Sequence, residues 1–304
     1  MVYIILVAII ALAFCVLTIL AFIITKNFLG RRIKQEQFVS SDFGIASEHV
    51  TIKTDDGINL AAWKTKSNKD MARGTIIIIS GMEQPSVTAY FGFAKMFADN
   101  GWDSLLIEMR ARGLSEGTTI GLGITEWLDV KGGVDFLSHG GFAKDLPIVV
   151  MGTSLGAATA IVAAGEIKKI NAVIALSAFA SIGNMLAEVL PQYGIPKLIA
   201  KIDKPFINMA LGFRLGFNAL KYSAINGIKK LGSRPILLMH STEDDQVPYS
   251  QYVLLRKVAK ENDVNITEFV REGNYHFIVD KLENPTQDEE FSTSIIEFLN
   301  NNFE

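Results

Sequence analysis

Short apolar runs and amphipathic stretches alternate along most of this chain, and that alternation predicts its architecture. His49–Thr54 and Ile58–Trp63 flank Asp55-Asp56-Gly57, which is a hairpin signal. Thr75–Ile79 is a run of β-branched residues, the pattern of a strand buried on both faces. Runs of the same type recur at 104–107, 147–150, 172–176, 235–239 and 266–270. Helical patterns fill the gaps, at about 87–100, 124–138, 155–167, 249–262 and 288–300. Strands alternating with helices imply parallel βαβ units. The expected fold is therefore α/β, a mostly parallel sheet of about eight strands led by an antiparallel hairpin. Ligands of such sheets bind beyond the carboxyl ends of the strands.

Two segments depart from this rhythm. Residues 181–231 carry helical patterning rich in Leu, Ile, Met and Phe, with Pro191, Pro196 and Pro205 as breakers. They read as a helical cap inserted over the strand ends. At the other end, Val2–Thr25 is an uncharged run of 24 residues. As a helix it is about 36 Å long, enough to cross a hydrocarbon core of about 30 Å. A signal peptide would have a basic n-region and a shorter apolar core. Leu12-Ala13-Phe14 before Cys15 suits lipoprotein processing poorly. The expectation is a membrane span over 1–25, a polar linker over 26–46 and an α/β domain over 47–304. Lys26, Arg31, Arg32 and Lys34 follow the span and nothing basic precedes it, which places the domain on the cytoplasmic side, with a very short N-terminus outside.

Composition narrows the function. The chain has 304 residues, 49% of them hydrophobic, ample for a sizeable core. A net charge of −3 without a basic stripe gives nucleic acid no electrostatic footprint. Cys15 is the single cysteine, so intramolecular disulfides and cysteine-based metal sites are excluded. No cofactor or metal is expected, and the sequence sets no oligomeric state.

Gly-x-Ser-x-Gly occurs twice. Gly113–Gly117 sits between two loops, whereas Gly152-Thr153-Ser154-Leu155-Gly156 follows a strand and runs directly into a helix of small residues. A nucleophile turn needs strand, sharp turn and helix, and only the second copy has them. Ser154 is thus the candidate nucleophile. A serine hydroxyl needs a base to take its proton. Of the four histidines, His276 follows the last strand in a loop able to reach over the sheet. His240 ends the strand before an acidic loop and reads as a structural residue; His49 and His139 read as surface residues. In that loop Glu243, Asp244 and Asp245 compete for the role of acid, against the plainer reading of a solvated turn.

From about residue 48 onward the chain resembles the α/β-hydrolase superfamily, especially its lysophospholipase-like and serine-aminopeptidase-like branch. His240–Pro248 is similar to that branch's His-Gly-x-x-Asp-x-x-Val-Pro, with Ser241 in place of the usual Gly; the resemblance puts the triad acid at Asp244. Glu108–Gly117 resembles the branch's Asp-x-Arg-Gly-x-Gly-x-Ser-x-Gly loop, which makes the first Gly-x-Ser-x-Gly structural. The oxyanion donors implied are the backbone N–H groups of Leu155 and, from Ser80-Gly81-Met82 after strand 75–79, of Met82. Glu83 nearby is either a substrate contact or solvent-exposed. The implied activity is hydrolysis of carboxylic esters, with acyl-lipid or other hydrophobic esters favoured by the span and the apolar cap. A membrane-anchored peptidase and a non-catalytic tethered module are the alternatives.

Overall fold

The computed structural model describes residues 1–29, 32–82, 85–140 and 145–303. Eight strands form one sheet: β1 (Ser47–Lys53), β2 (Asn59–Thr65), β3 (Gly74–Ile79), β4 (Trp102–Ile107), β5 (Ile148–Thr153), β6 (Ile170–Leu176), β7 (Ile236–Ser241) and β8 (Ile266–Arg271). Their order is β1-β2-β4-β3-β5-β6-β7-β8. The β1–β2 and β2–β4 pairs are antiparallel and all others parallel. Each predicted run falls on one strand, with no end more than one residue outside it.

The central strands are apolar throughout because both faces are covered. In β3, Ile77 and Ile79 enter one core, while Ile76 and Ile78 enter the other. The first core is closed by α3 (Trp127–His139), α4 (Leu155–Glu166) and α8 (Tyr249–Glu261). The second is closed by α2 (Phe91–Asp99) and α9 (Glu289–Asn302), whose Phe91, Phe93, Phe291 and Phe298 are buried. Burying such a side chain contributes roughly 1.5–3 kcal/mol. The chain leaves β3 towards β4 on one side, and the sheet continues from β3 to β5 on the other. That reversal opens a crevice at the carboxyl ends of β3 and β5, where ligands of open α/β sheets bind.

Between β6 and β7 the chain forms α5 (Ile182–Val189), α6 (Lys197–Leu215) and α7 (Ala224–Ile228), joined by short turns. Pro191 opens one of those turns and Pro196 caps α6. Pro205, expected to break a helix, lies inside α6. It removes the N–H that Lys201 would have accepted, which costs one hydrogen bond without ending the helix.

The N-terminal helix α1 (Val2–Phe28) is long and apolar enough to cross a membrane. The residues after it do not hang free between helix and sheet. Ile33 N–H donates to the Ala111 carbonyl and Gly113 N–H donates to Ile33, each at 2.9 Å. Gln37 Nε2 donates to Glu108 at 2.8 Å, and Phe38 N–H donates to Thr88 Oγ1 at 2.9 Å. This strap, read from sequence as a polar linker, is pinned to the loops after β3 and β4. Arg31, counted among the charges flanking the span, lies outside the described residues.

Candidate active site

Ser154 stands between the end of β5 and the start of α4, with φ 56° and ψ −118°. A non-glycine residue in that region is strained by roughly 1–3 kcal/mol and persists only where its surroundings enforce it. Here they do. Ser154 N–H donates to the Leu176 carbonyl at 2.7 Å, and its own carbonyl accepts from Ala158 N–H at 3.1 Å. The two flanking glycines are required by contact. A Cβ on Gly152 would meet the Gly156 carbonyl at 2.3 Å, and one on Gly156 would meet Ser80 O at 2.4 Å. The turn can be this tight only with both side chains missing, and it lifts the serine out of the sheet at the crevice.

Leu155 is the first residue of α4, so its N–H has no acceptor within the helix. The positive end of the helix lies at the same place. Across the crevice, Gly81 lies against Ser154: a Cβ built on it would be 3.6 Å from the serine Cβ. Met82 follows, and its carbonyl accepts from Arg112 Nε at 3.0 Å. Arg112 is fully buried, with Glu126 3.8 Å from Nη2. Glu126 in turn accepts from the N–H groups of Gly121 and Gly123. Glu83 lies outside the described residues.

On the far side of Ser154, His276 and Asp244 meet. His276 Nδ1 donates to Asp244, 2.9 Å from Oδ2 and 3.0 Å from Oδ1. Asp244 Oδ1 also accepts from the N–H groups of Gln246 and Val247, both at 2.9 Å. Burial pushes the Asp244 carboxyl up, but the bond and charge of His276 and the Val247 N–H outweigh it and hold it below the ordinary carboxylate range. Glu243 and Asp245, its rivals by sequence, are exposed. His240 Nε2 donates to the Val247 carbonyl at 2.8 Å, tying the acid's loop to the end of β7. Burial lowers its affinity for a proton.

Ser154, His276, Gly81 and Met82 line one cavity of about 850 Å³. The cap supplies Leu190 and Ile195, and α1 supplies Ile24 and Phe28. No sequence signal marks a contribution from α1, since an apolar run of that length reads as a span whatever it touches. Arg112 has a weak signal, its place in the Arg-rich loop after β4. Ser115, in the first Gly-x-Ser-x-Gly, is fully buried; it accepts from Ala61 N–H at 2.9 Å and donates to the Glu108 carbonyl. It ties a loop to β2.

The match with the serine aminopeptidase S33 family covers residues 70–210. The uncharacterized protein YqkD of Bacillus subtilis is 32% identical over 179 residues, 58% of this chain and 57% of YqkD, so the match spans less than two thirds of that relative. The uncharacterized protein YfhR of Escherichia coli K12 is 24% identical over 221 residues, 71% of this chain and 69% of its own. Among solved structures, the Pyrococcus furiosus esterase Pf2001 shares the fold with a TM-score of 0.69 at 21% identity, over 90% of this chain and 100% of that one. An acylaminoacyl peptidase of Pyrococcus horikoshii matches with a TM-score of 0.63 at 18% identity, over 85% of this chain and 42% of the peptidase. With its sheet order, its strand-turn-helix at residues 148–166 and these likenesses, the chain has the α/β-hydrolase fold.

Proposed function

We propose that this protein is a membrane-anchored serine hydrolase that cleaves hydrophobic carboxylic esters through an acyl-enzyme. The observation that carries the reading is the His276–Asp244 pair, 2.9 Å apart, with His276 lining the same cavity as a serine held in a strained turn. Ser154 Oγ attacks the ester carbonyl carbon while His276 Nε2 takes its proton. Asp244, ionised, holds the ring through Nδ1 and stabilises the imidazolium that forms. The oxyanion is met by the N–H groups of Leu155 and Met82. As the C–O bond breaks, His276 returns the proton to the departing alkoxide, which leaves as the alcohol. Water then repeats the sequence on the acyl-enzyme and releases the acid.

An acyl-lipid substrate is supported by the apolar lining from Leu190, Ile195, Ile24 and Phe28, and by α1 as an anchor. The basic flank of α1 favours the cytoplasmic side for the domain. A peptidase is the second reading, favoured by the serine aminopeptidase family match and the acylaminoacyl peptidase likeness. A screen of p-nitrophenyl esters of rising chain length beside aminoacyl-nitroanilides tests the choice. The proposal expects turnover of esters that rises with chain length; turnover of the nitroanilides alone would replace it with the peptidase.

A further inference from the structure

The wall that α1 gives to the cavity makes the helix more than a tether. Ile24, Asn27 and Phe28, from its last two turns, line the space that Ser154 and His276 line. The helix end is held there by the cap. Phe14 packs edge-on against Phe206 of α6 at 5.2 Å, and Phe22 packs against Phe213 at 6.1 Å. Arg214 donates to the Phe22 carbonyl at 3.2 Å and lies 5.6 Å over its ring. Upstream, residues 2–16 are exposed. The apolar run continues to Thr25, directly before Lys26, the first charged side chain. Its final turn carries Ile24. The apolar surface of the run therefore reaches the lining of the cavity at Ile24.

That continuity matters because of what an acyl chain loses in water. Each methylene leaving a bilayer for water lowers the population by about fourfold, or about a millionfold for a ten-carbon chain. A site entered through water would see almost none of such a substrate.

We propose that the last two turns of α1 form one wall of the acyl-chain site, and that the substrate is an acyl-lipid ester entering from the leaflet beside α1, its chain passing along Ile24 and Phe28 to Ser154. This rests on the ester-hydrolase reading above. Val189, Leu190 and Ile195 supply apolar lining from the cap.

The test uses the full chain in phospholipid vesicles and the ratio of kcat/KM for decanoyl and acetyl p-nitrophenyl esters. Ile24→Trp and Phe28→Trp, which fill the wall, should lower that ratio about tenfold or more. Ile9→Trp, on the exposed part of α1, should leave it at the wild-type value. An unchanged ratio in folded Ile24 and Phe28 variants that still take a fluorophosphonate would overturn the wall alone. A wild-type protein that hydrolyses neither ester would overturn the ester reading and this proposal with it. Should the variants fold poorly, a decyl fluorophosphonate with a terminal diazirine decides on the wild-type chain. Crosslinks from Ser154 to residues 24–28 are expected, and crosslinks confined to other elements contradict the wall.

Discussion

Arg112 donates from Nε to the carbonyl of Met82 at 3.0 Å, and through that bond a fully buried guanidinium grips the segment proposed to carry one oxyanion donor. The arginine is itself held: Nη1 donates to the Arg110 carbonyl at 3.2 Å, and Glu126 lies beneath it. Its neighbours Ala111 and Gly113 hold the strap from α1 through Ile33. Anchor strap, arginine loop and candidate oxyanion segment are thus one connected piece.

Arg112→Lys tests the grip. Lysine keeps the charge but loses the planar fork that serves Met82 and Arg110 together. The expected result is a fall in kcat of about tenfold or more, with KM changing far less, because a displaced N–H fails the transition state more than the bound ester. Steady-state kinetics on p-nitrophenyl acetate decide. Equal loss in kcat/KM through KM alone would assign Arg112 to binding or folding instead.

Asp244 and Asp245 are adjacent in sequence and opposite in circumstance. The first is buried against His276, and the second is exposed. Asp244→Asn should cost up to about four decades in kcat, since the charge and the correct tautomer of His276 are both lost. Asp245→Asn should stay within a few-fold. The reverse ranking would place the acid one residue later.

Asp203, inside α6, is fully buried, and neither carboxylate oxygen has a partner among the described residues. Burial raises its carboxyl from the ordinary 3.8 to about 6. Between those values the folded chain keeps a proton that the unfolded chain releases, so stability falls as pH rises through the window, and the cost stays in full above it. Asp203→Asn should therefore raise the Tm at pH 8 by several degrees and change it little at pH 4. Thermal melts at both values check this; a gain at pH 4 only would give the sign the other way.

Much of this arrangement was legible beforehand, for reasons that particular residues make plain. The β-branched run at 75–79 alternates between two cores, so it could only be a doubly buried strand. Gly152 and Gly156 mark the turn at Ser154 because a Cβ at either would strike backbone. Ser115 shares the motif's letters but not its neighbours, and it is buried on main-chain groups. What the sequence hid was of another kind. The strap over 32–38 is polar, and polarity reads the same whether a segment is solvated or bonded to a loop. Pro205 marks a helix break in sequence, while α6 carries it within an intact helix. The seat of Ile24 and Phe28 against the cavity is a long-range contact, and an apolar helix has the same composition beside lipid as beside protein.

Ser154, and not Ser115, is the proposed nucleophile. Labelling of the full chain with a fluorophosphonate probe tests it most directly, read as the site of the adduct by peptide mapping and as the loss of labelling in Ser154→Ala and Ser115→Ala. One adduct is expected, on Ser154, absent from folded Ser154→Ala and retained in Ser115→Ala, which should be destabilised by about 1–3 kcal/mol for its lost buried bonds. An adduct on Ser115, or undiminished labelling of Ser154→Ala, would contradict it.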